Sequence, residues 1–210
     1  MSEQRTQEWL LARVGKLTAS RFADAVATVK GGGWGASRER YWGELVAERL
    51  TGLPYEQYRS AAMERGSMLE ARARAAYAFR CDVDVVEVGF IPHPTIEMSG
   101  CSPDGLVGDD GLVEFKCPDT HVHLKWLRGR AKVPNEYALQ MLWQIACTGR
   151  PWCDFVSFDD RLPARAQLYI KRFHRDDALI ATMEKQARDF LDDVARDVAA
   201  FEAMDQQAAA

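Results

Sequence analysis

Apolar positions along the chain follow a helical period near both ends and an alternating period through the middle. At the start, three segments predict helices: Thr6 to Val14 closed by Gly15, Ser20 to Val29, and Ser37 to Leu50 closed by Gly52. Trp9, Leu10 and Leu11 mark the apolar side of the first. The second opens at Thr18-Ala-Ser20, where either hydroxyl can cap. Gly31-Gly-Gly-Trp34-Gly35 predicts a mobile surface loop, without the lysine-serine ending of a phosphate cradle. A fourth helix is predicted from Ala61 to Phe79.

Beyond Phe79 the period becomes two, and Val83, Val85, Glu87, Gly89 and Ile91 predict a strand. Strands at Gly100 to Val107 and Gly111 to Cys117 flank the turn-forming Gly108-Asp-Asp-Gly111 and predict a hairpin. A helix from Asn135, taken as its cap, to Cys147 stops near Gly149-Arg-Pro151. Strands at Cys153 to Phe158 and Ala166 to Phe173 follow, and a last helix starts around Asp176. With no repeat and no long linker, this order predicts a single α/β (α+β) domain with a central mixed sheet flanked by helices. Within it, 1–60 is helical, 61–175 is the core and 176–210 is an acidic helix.

The chain has 210 residues, 47% of them hydrophobic, enough for one substantial core. No apolar run approaches the roughly 18 residues of a membrane span. Met1-Ser2-Glu3-Gln4-Arg5 lacks a secretory signal's apolar stretch, so the expectation is a soluble, cytoplasmic protein with no membrane contact. Five cysteines without a CxxC pair fit a reducing compartment and disfavour zinc or iron-sulfur sites. The net charge of −4 is unevenly spread. Acids outnumber bases from Asp176 to Asp205, which leaves the remainder mildly basic, and Lys125, Arg128, Arg130 and Lys132 form a local group able to meet phosphates.

The hairpin carries the candidate chemistry. In Leu112-Val-Glu-Phe-Lys-Cys117 side chains alternate, so Glu114 and Lys116 share one face and Val113 and Phe115 the other. If the turn centres near Asp109, Asp104 falls opposite Glu114, to within one residue. Opposed carboxylates would lie roughly 5 Å apart, which is destabilising unless a cation sits between them. Oxygen donors suit Mg²⁺ or Mn²⁺, and the chemistry such a cation brings is water activation and stabilisation of charge on phosphate oxygens. Lys116 is placed to position or deprotonate the nucleophile. An ordinary surface hairpin with a cross-strand ion pair is the alternative, and Pro103 and Gly105 weigh against it by turning the chain at Asp104. His121 and His123 follow the motif, but their spacing suits neither joint ligation nor zinc with Cys117.

The stretch Cys101-Ser-Pro-Asp-Gly-Leu-Val-Gly-Asp-Asp-Gly-Leu-Val-Glu-Phe-Lys-Cys-Pro118 resembles the active-site signature of the lambda exonuclease and YqaJ-like viral recombinase nucleases, in the PD-(D/E)XK superfamily. The likeness runs from Glu8-Trp9 to Gly149. It implies a restriction-endonuclease-like domain with Asp104, Glu114, the Phe115 carbonyl and helix-borne Glu70 at a Mg²⁺ site, and Lys116 as the catalytic lysine. It also implies a 5′-phosphate pocket from Arg13, Ser20 and Ser102. Gln140 aligns near the same phosphate, although glutamines here stand four apart at Gln140 and Gln144, which leaves open which faces the site. Met63 falls at the apolar wedge against the terminal base pair. Expected with these are 5′-to-3′ exonuclease activity on linear double-stranded DNA, a ring-shaped homotrimer, a single-strand annealing recombinase as partner, and a phage or prophage setting. A sequence-specific endonuclease of the same superfamily and a non-catalytic DNA-end-binding module are the rivals.

Overall fold

The computed structural model describes residues 4–55 and 61–208, apart from the side chains of 61–64, 67 and 205–208. Seven helices and eight strands alternate along it: α1 (Gln7–Arg13), β1 (Leu17–Thr18), α2 (Phe22–Ala25), α3 (Ala36–Thr51), α4 (Ala61–Cys81), β2 (Val85–Val86), β3 (Ile91–Pro92), β4 (Ser99–Cys101), β5 (Gly105–Val107), β6 (Gly111–Lys116), α5 (Thr120–Leu127), α6 (Asn135–Thr148), β7 (Trp152–Phe158), β8 (Leu168–His174) and α7 (Asp177–Ala208). The strands form two mixed sheets, ordered β1-β4-β3 and β2-β5-β6-β7-β8. The predicted α/β class therefore holds, with two sheets where one was expected.

Local chemistry explains most element ends. Thr6 caps α1, its hydroxyl accepting from the Trp9 N–H at 3.2 Å. α3 and α6 stop at Gly52 and Gly149, both in the left-handed conformation that glycine adopts without steric cost. Asp176 caps α7 by accepting from the Leu179 N–H. Three expectations need correcting. Asn135 is the first helical residue of α6, and Pro134 occupies the cap position. α2 ends at Ala25 because the chain turns away through β-branched Val26, Thr28 and Val29 into an isolated bridge between Thr28 and Trp34. That bridge, with the Trp34 ring packed against Trp42, pins the glycine-rich loop that the sequence suggests is mobile.

The longer sheet separates two clusters of apolar side chains. On one face Leu112, Cys153 and Phe155 pack with α6, α3 and α7 around Trp143 and Phe22. On the other, Val113, Phe115, Val156 and Phe158 pack against Ala73 and Tyr77 of α4. Alternation along β6 and β7 thus sends consecutive residues into different clusters. α7 lays Ile180, Met183, Ala187, Phe190 and Val194 into the first cluster. Its Asp193 pairs with Arg38, and its Asp197 accepts from the Trp42 indole N–H. The acidic helix is therefore docked along α3, and only part of its charge faces water.

The predicted strand from Gly100 to Val107 is two strands. β4 belongs to the small sheet, β5 to the large one, and Ser102-Pro103-Asp104 crosses between them. The predicted strand from Val83 to Ile91 divides likewise into β2 and β3. Gly100, the central residue of β4, fits only because it lacks a side chain: an added Cβ would lie 2.5 Å from the Ile91 carbonyl oxygen and 2.3 Å from the Phe90 ring. Gly100→Ala is expected to cost about 1–3 kcal/mol, the usual range for overpacking. A urea unfolding midpoint equal to that of the parent chain would contradict this.

Candidate active site

Asp104 sits at the crossing, one residue before β5. The β5–β6 register pairs Gly105 with Val113, and one more step sets Asp104 against Glu114, as the hairpin arithmetic predicts. The Phe115 backbone N–H donates to Asp104 Oδ2 at 2.7 Å. Burial, then the charges of Glu114 and Glu70, hold the Asp104 carboxyl well above the usual carboxylate range.

Glu114 is 2% exposed, and a buried carboxylate must be satisfied or paired. Lys116 Nζ donates to its Oε1 at 2.5 Å, and Gln140 Nε2 donates to the same oxygen at 2.7 Å. Gln144 Nε2 donates to Oε2 at 2.6 Å. Four-residue spacing on α6 puts both amides on one face, so both glutamines face the site. The Gln140 carbonyl oxygen stands 3.4 Å from Lys116 Nζ, and that ammonium lies 4.9 Å from the Tyr137 ring centroid. Burial opposes the Lys116 charge, but Glu114 and Asp104 outweigh it and raise its pKa above the ordinary lysine range.

Glu70 projects from α4 and pairs with Arg5, and with Arg74 at 3.2 Å. Among the described residues, no group of three or more His, Cys, Asp or Glu side chains is gathered closely enough to hold a metal ion. The chemistry of the donors nevertheless fits a hard divalent cation. The places beside the carboxylates are taken by the chain's own cations, Lys116 on Glu114 and Arg5 on Glu70, while Asp104 has a raised pKa that a nearby positive charge would lower.

The end-reading candidates divide. Ser102 Oγ accepts from the Trp9 indole N–H at 2.9 Å and lies 3.5 Å from Arg13 Nη1. The Arg13 guanidinium rests 4.1 Å from the Trp9 ring centroid. Burial lowers the Arg13 pKa, and among the described residues no carboxylate forms an ion pair with it. A desolvated guanidinium without a carboxylate partner is suited to an anion. Ser20 is exposed, its hydroxyl 3.5 Å from that of Thr18. The Met63 side chain lies outside the described residues. His123 is buried between the Ser157 hydroxyl and the Ala166 carbonyl. Gln4, Arg5 and Trp9 were not singled out in the sequence as site residues, because nothing in their local pattern marks contacts made 65 to 99 residues away.

A carboxylate at a strand start opposite Glu-x-Lys, on a mixed sheet backed by a helix bearing a further carboxylate, defines a nuclease of the PD-(D/E)XK class. More narrowly, the chain belongs to the family of the YqaJ-like viral recombinase domain, whose model matches residues 8–151. An alkaline exonuclease from Laribacter hongkongensis, LHK-Exo, is similar to it in structure: TM-score 0.86, 48% identity, with 97% of this chain and 98% of that chain covered. A structure of LHK-Exo in complex with dAMP matches with the same values. A phage-related exonuclease from Haemophilus somnus shares the fold at TM-score 0.67 and 15% identity, covering 87% of this chain and 96% of its own. A comparison with curated proteins gives no match.

The raised Asp104 pKa fixes a sign. The folded, metal-free chain keeps the Asp104 proton above 3.8, where the unfolded chain releases it, so stability falls as pH rises from 3.8 through the folded value. Asp104→Asn is expected to flatten that fall, measured as urea midpoints in chelator from pH 4 upward. Parallel curves for both proteins would show that Asp104 ionises freely.

Proposed function

We propose that this chain is a Mg²⁺-dependent 5′-to-3′ exonuclease, with Mn²⁺ able to substitute, that consumes one strand of linear double-stranded DNA. Its product is a 3′ single-stranded overhang for recombination by strand annealing. The observation that carries this reading is the tripeptide Ser102-Pro103-Asp104, which joins an anion-ready Arg13–Ser102 contact to the hydrolytic carboxylate two residues on. An end phosphate held there is held at a fixed offset from the cutting site. Similarity to an alkaline exonuclease over nearly the whole chain supports it.

Asp104, Glu114, the Phe115 carbonyl and Glu70 are the groups that would hold the cation. Bound there, it supplies positive charge to the phosphate oxygens and acidity to a water molecule. Lys116, kept charged while Glu114 and Asp104 face it, orients water and phosphate by donating hydrogen bonds. Gln140 and Gln144 keep Glu114 from turning, which leaves its oxygens aimed. Arg13 and Ser102 grip the 5′-phosphate, Ser20 and Gln140 complete its surroundings, and Met63 wedges against the last base pair. Lys125, Arg128, Arg130 and Lys132 are exposed and, among the described residues, form no ion pairs; they meet the backbone phosphates ahead of the end. Resemblance to this family is what supports the further proposal of a homotrimer around the duplex and a single-strand annealing recombinase as partner.

The deciding experiment digests a linear duplex labelled on one strand, with 5′-phosphate or 5′-hydroxyl ends, beside a closed circle in Mg²⁺. Progressive loss from phosphorylated 5′ ends with an intact circle is expected. A cut circle would instead indicate an endonuclease, and binding without any cleavage an end-binding module. Lys116→Ala should lower kcat about 10²–10⁴-fold while DNA binding persists, since the remaining groups still hold cation and phosphate. Full activity in that variant would refute the mechanism. Arg13→Ala should lose roughly 1.5–3 kcal/mol of preference for phosphate over hydroxyl ends, the scale of a charged hydrogen bond. Undiminished discrimination would remove Arg13 from the end pocket.

A further inference from the structure

The crossing tripeptide belongs to neither sheet, and its backbone must find partners outside a ladder. Pro103 brings no N–H, and its carbonyl heads the peptide whose nitrogen is that of Asp104. A residue far away in sequence satisfies that carbonyl. Gln4 Nε2 donates to Pro103 O at 2.8 Å and to Val88 O at 2.9 Å, spending both amide protons on the two segments that cross between the large sheet and the small one. The next residue, Arg5, pairs with Glu70 on α4. Trp9 and Arg13 then reach the Ser102 hydroxyl. One short stretch of chain thereby touches two of the three carboxylate-bearing elements of the site, the crossing and α4, together with the candidate phosphate pocket.

We propose that Gln4 is a positioning residue for Asp104. Its amide fixes the Pro103–Asp104 peptide so that the carboxylate meets the Phe115 N–H and faces Glu114, while Arg5 holds Glu70 in the place a cation takes over. Without the two donors the peptide is free to rotate, and Asp104 leaves the Phe115 N–H. Arg5 adopts φ 68°, a left-handed conformation that suits glycine, so Arg5→Gly removes the guanidinium without disturbing the backbone. This role rests on the reading of the site as a metal-dependent nuclease.

The test is Mn²⁺ binding to the full chain without DNA, followed by the paramagnetic resonance of free Mn²⁺, together with kcat and KM on a linear duplex and the urea midpoint. Gln4→Met keeps side-chain length and loses both donors. Its Mn²⁺ affinity and kcat should each fall about 10-fold or more, the scale seen when outer partners of metal ligands are removed, with KM little changed. Arg5→Gly should shift Mn²⁺ affinity the other way, because Glu70 loses one of its two competing cations while Arg74 stays. The opposite signs separate positioning from general destabilisation, which would weaken both variants alike and would overturn the proposal. Wild-type affinity and kcat in Gln4→Met would overturn it too, and leave the nuclease reading standing. If the wild-type chain itself bound no Mn²⁺ and cleaved nothing, the nuclease reading would fall and this role with it. Should Gln4→Met not fold, unchanged Mn²⁺ affinity in Arg5→Gly would still refute the proposal.

Discussion

The buried carboxylate of Glu114 constrains everything around it. A charge at 2% exposure on a central strand costs several kcal/mol unless each oxygen is satisfied. Lys116, Gln140 and Gln144 supply three donors, two of them from α6. Those two fix the rotation of α6 about its axis, and the same rotation buries Met141, Trp143 and Ile145 in the first apolar cluster. Packing and chemistry are therefore one constraint here. A helix turned to improve either would spoil the other.

The site also lies on a seam. β4 is held by β1 and β3 in the small sheet, β5 by β2 and β6 in the large one, and the three residues between them carry Ser102 and Asp104. Ser99 ties the small sheet inward, donating to the Leu17 carbonyl while accepting from the Trp143 indole. Trp143 in turn stands on α6 between the two glutamines that grip Glu114. Both sides of the seam thus refer to the same helix. That is how the Arg13–Ser102 contact at α1 and the Asp104–Glu114 pair on the hairpin keep a set distance.

Around the seam the protein spends polar contacts where apolar ones would be available. Asp154, buried on β7, accepts from Tyr77 of α4 and from Nε and Nη2 of Arg172 on β8. Asp159 at the end of β7 gathers Arg161 and the Thr120 hydroxyl at the start of α5. Removing one partner of such a group leaves an unpaired buried charge, so these contacts favour a single arrangement of α4 and α5 against the sheet more than they add stability. Glu70 depends on that arrangement because it rides on α4.

The hairpin was legible because its information is local. Strict alternation and a three-residue turn at Gly108-Asp-Asp determine the register, and the register alone sets Asp104 against Glu114. Helix ends were legible for the same reason at Thr6, Gly52, Gly149 and Asp176, where a cap or a left-handed glycine acts within one turn. The chain's own order of residues thus determined the fold class and the hairpin that sets Asp104 against Glu114. Tertiary structure alone decided the break into two sheets, the shared grip of Gln140 and Gln144, and the reach of Gln4 and Arg5. Each of these is settled by groups tens of residues apart competing for one buried donor or acceptor, and such competition leaves no period in the sequence.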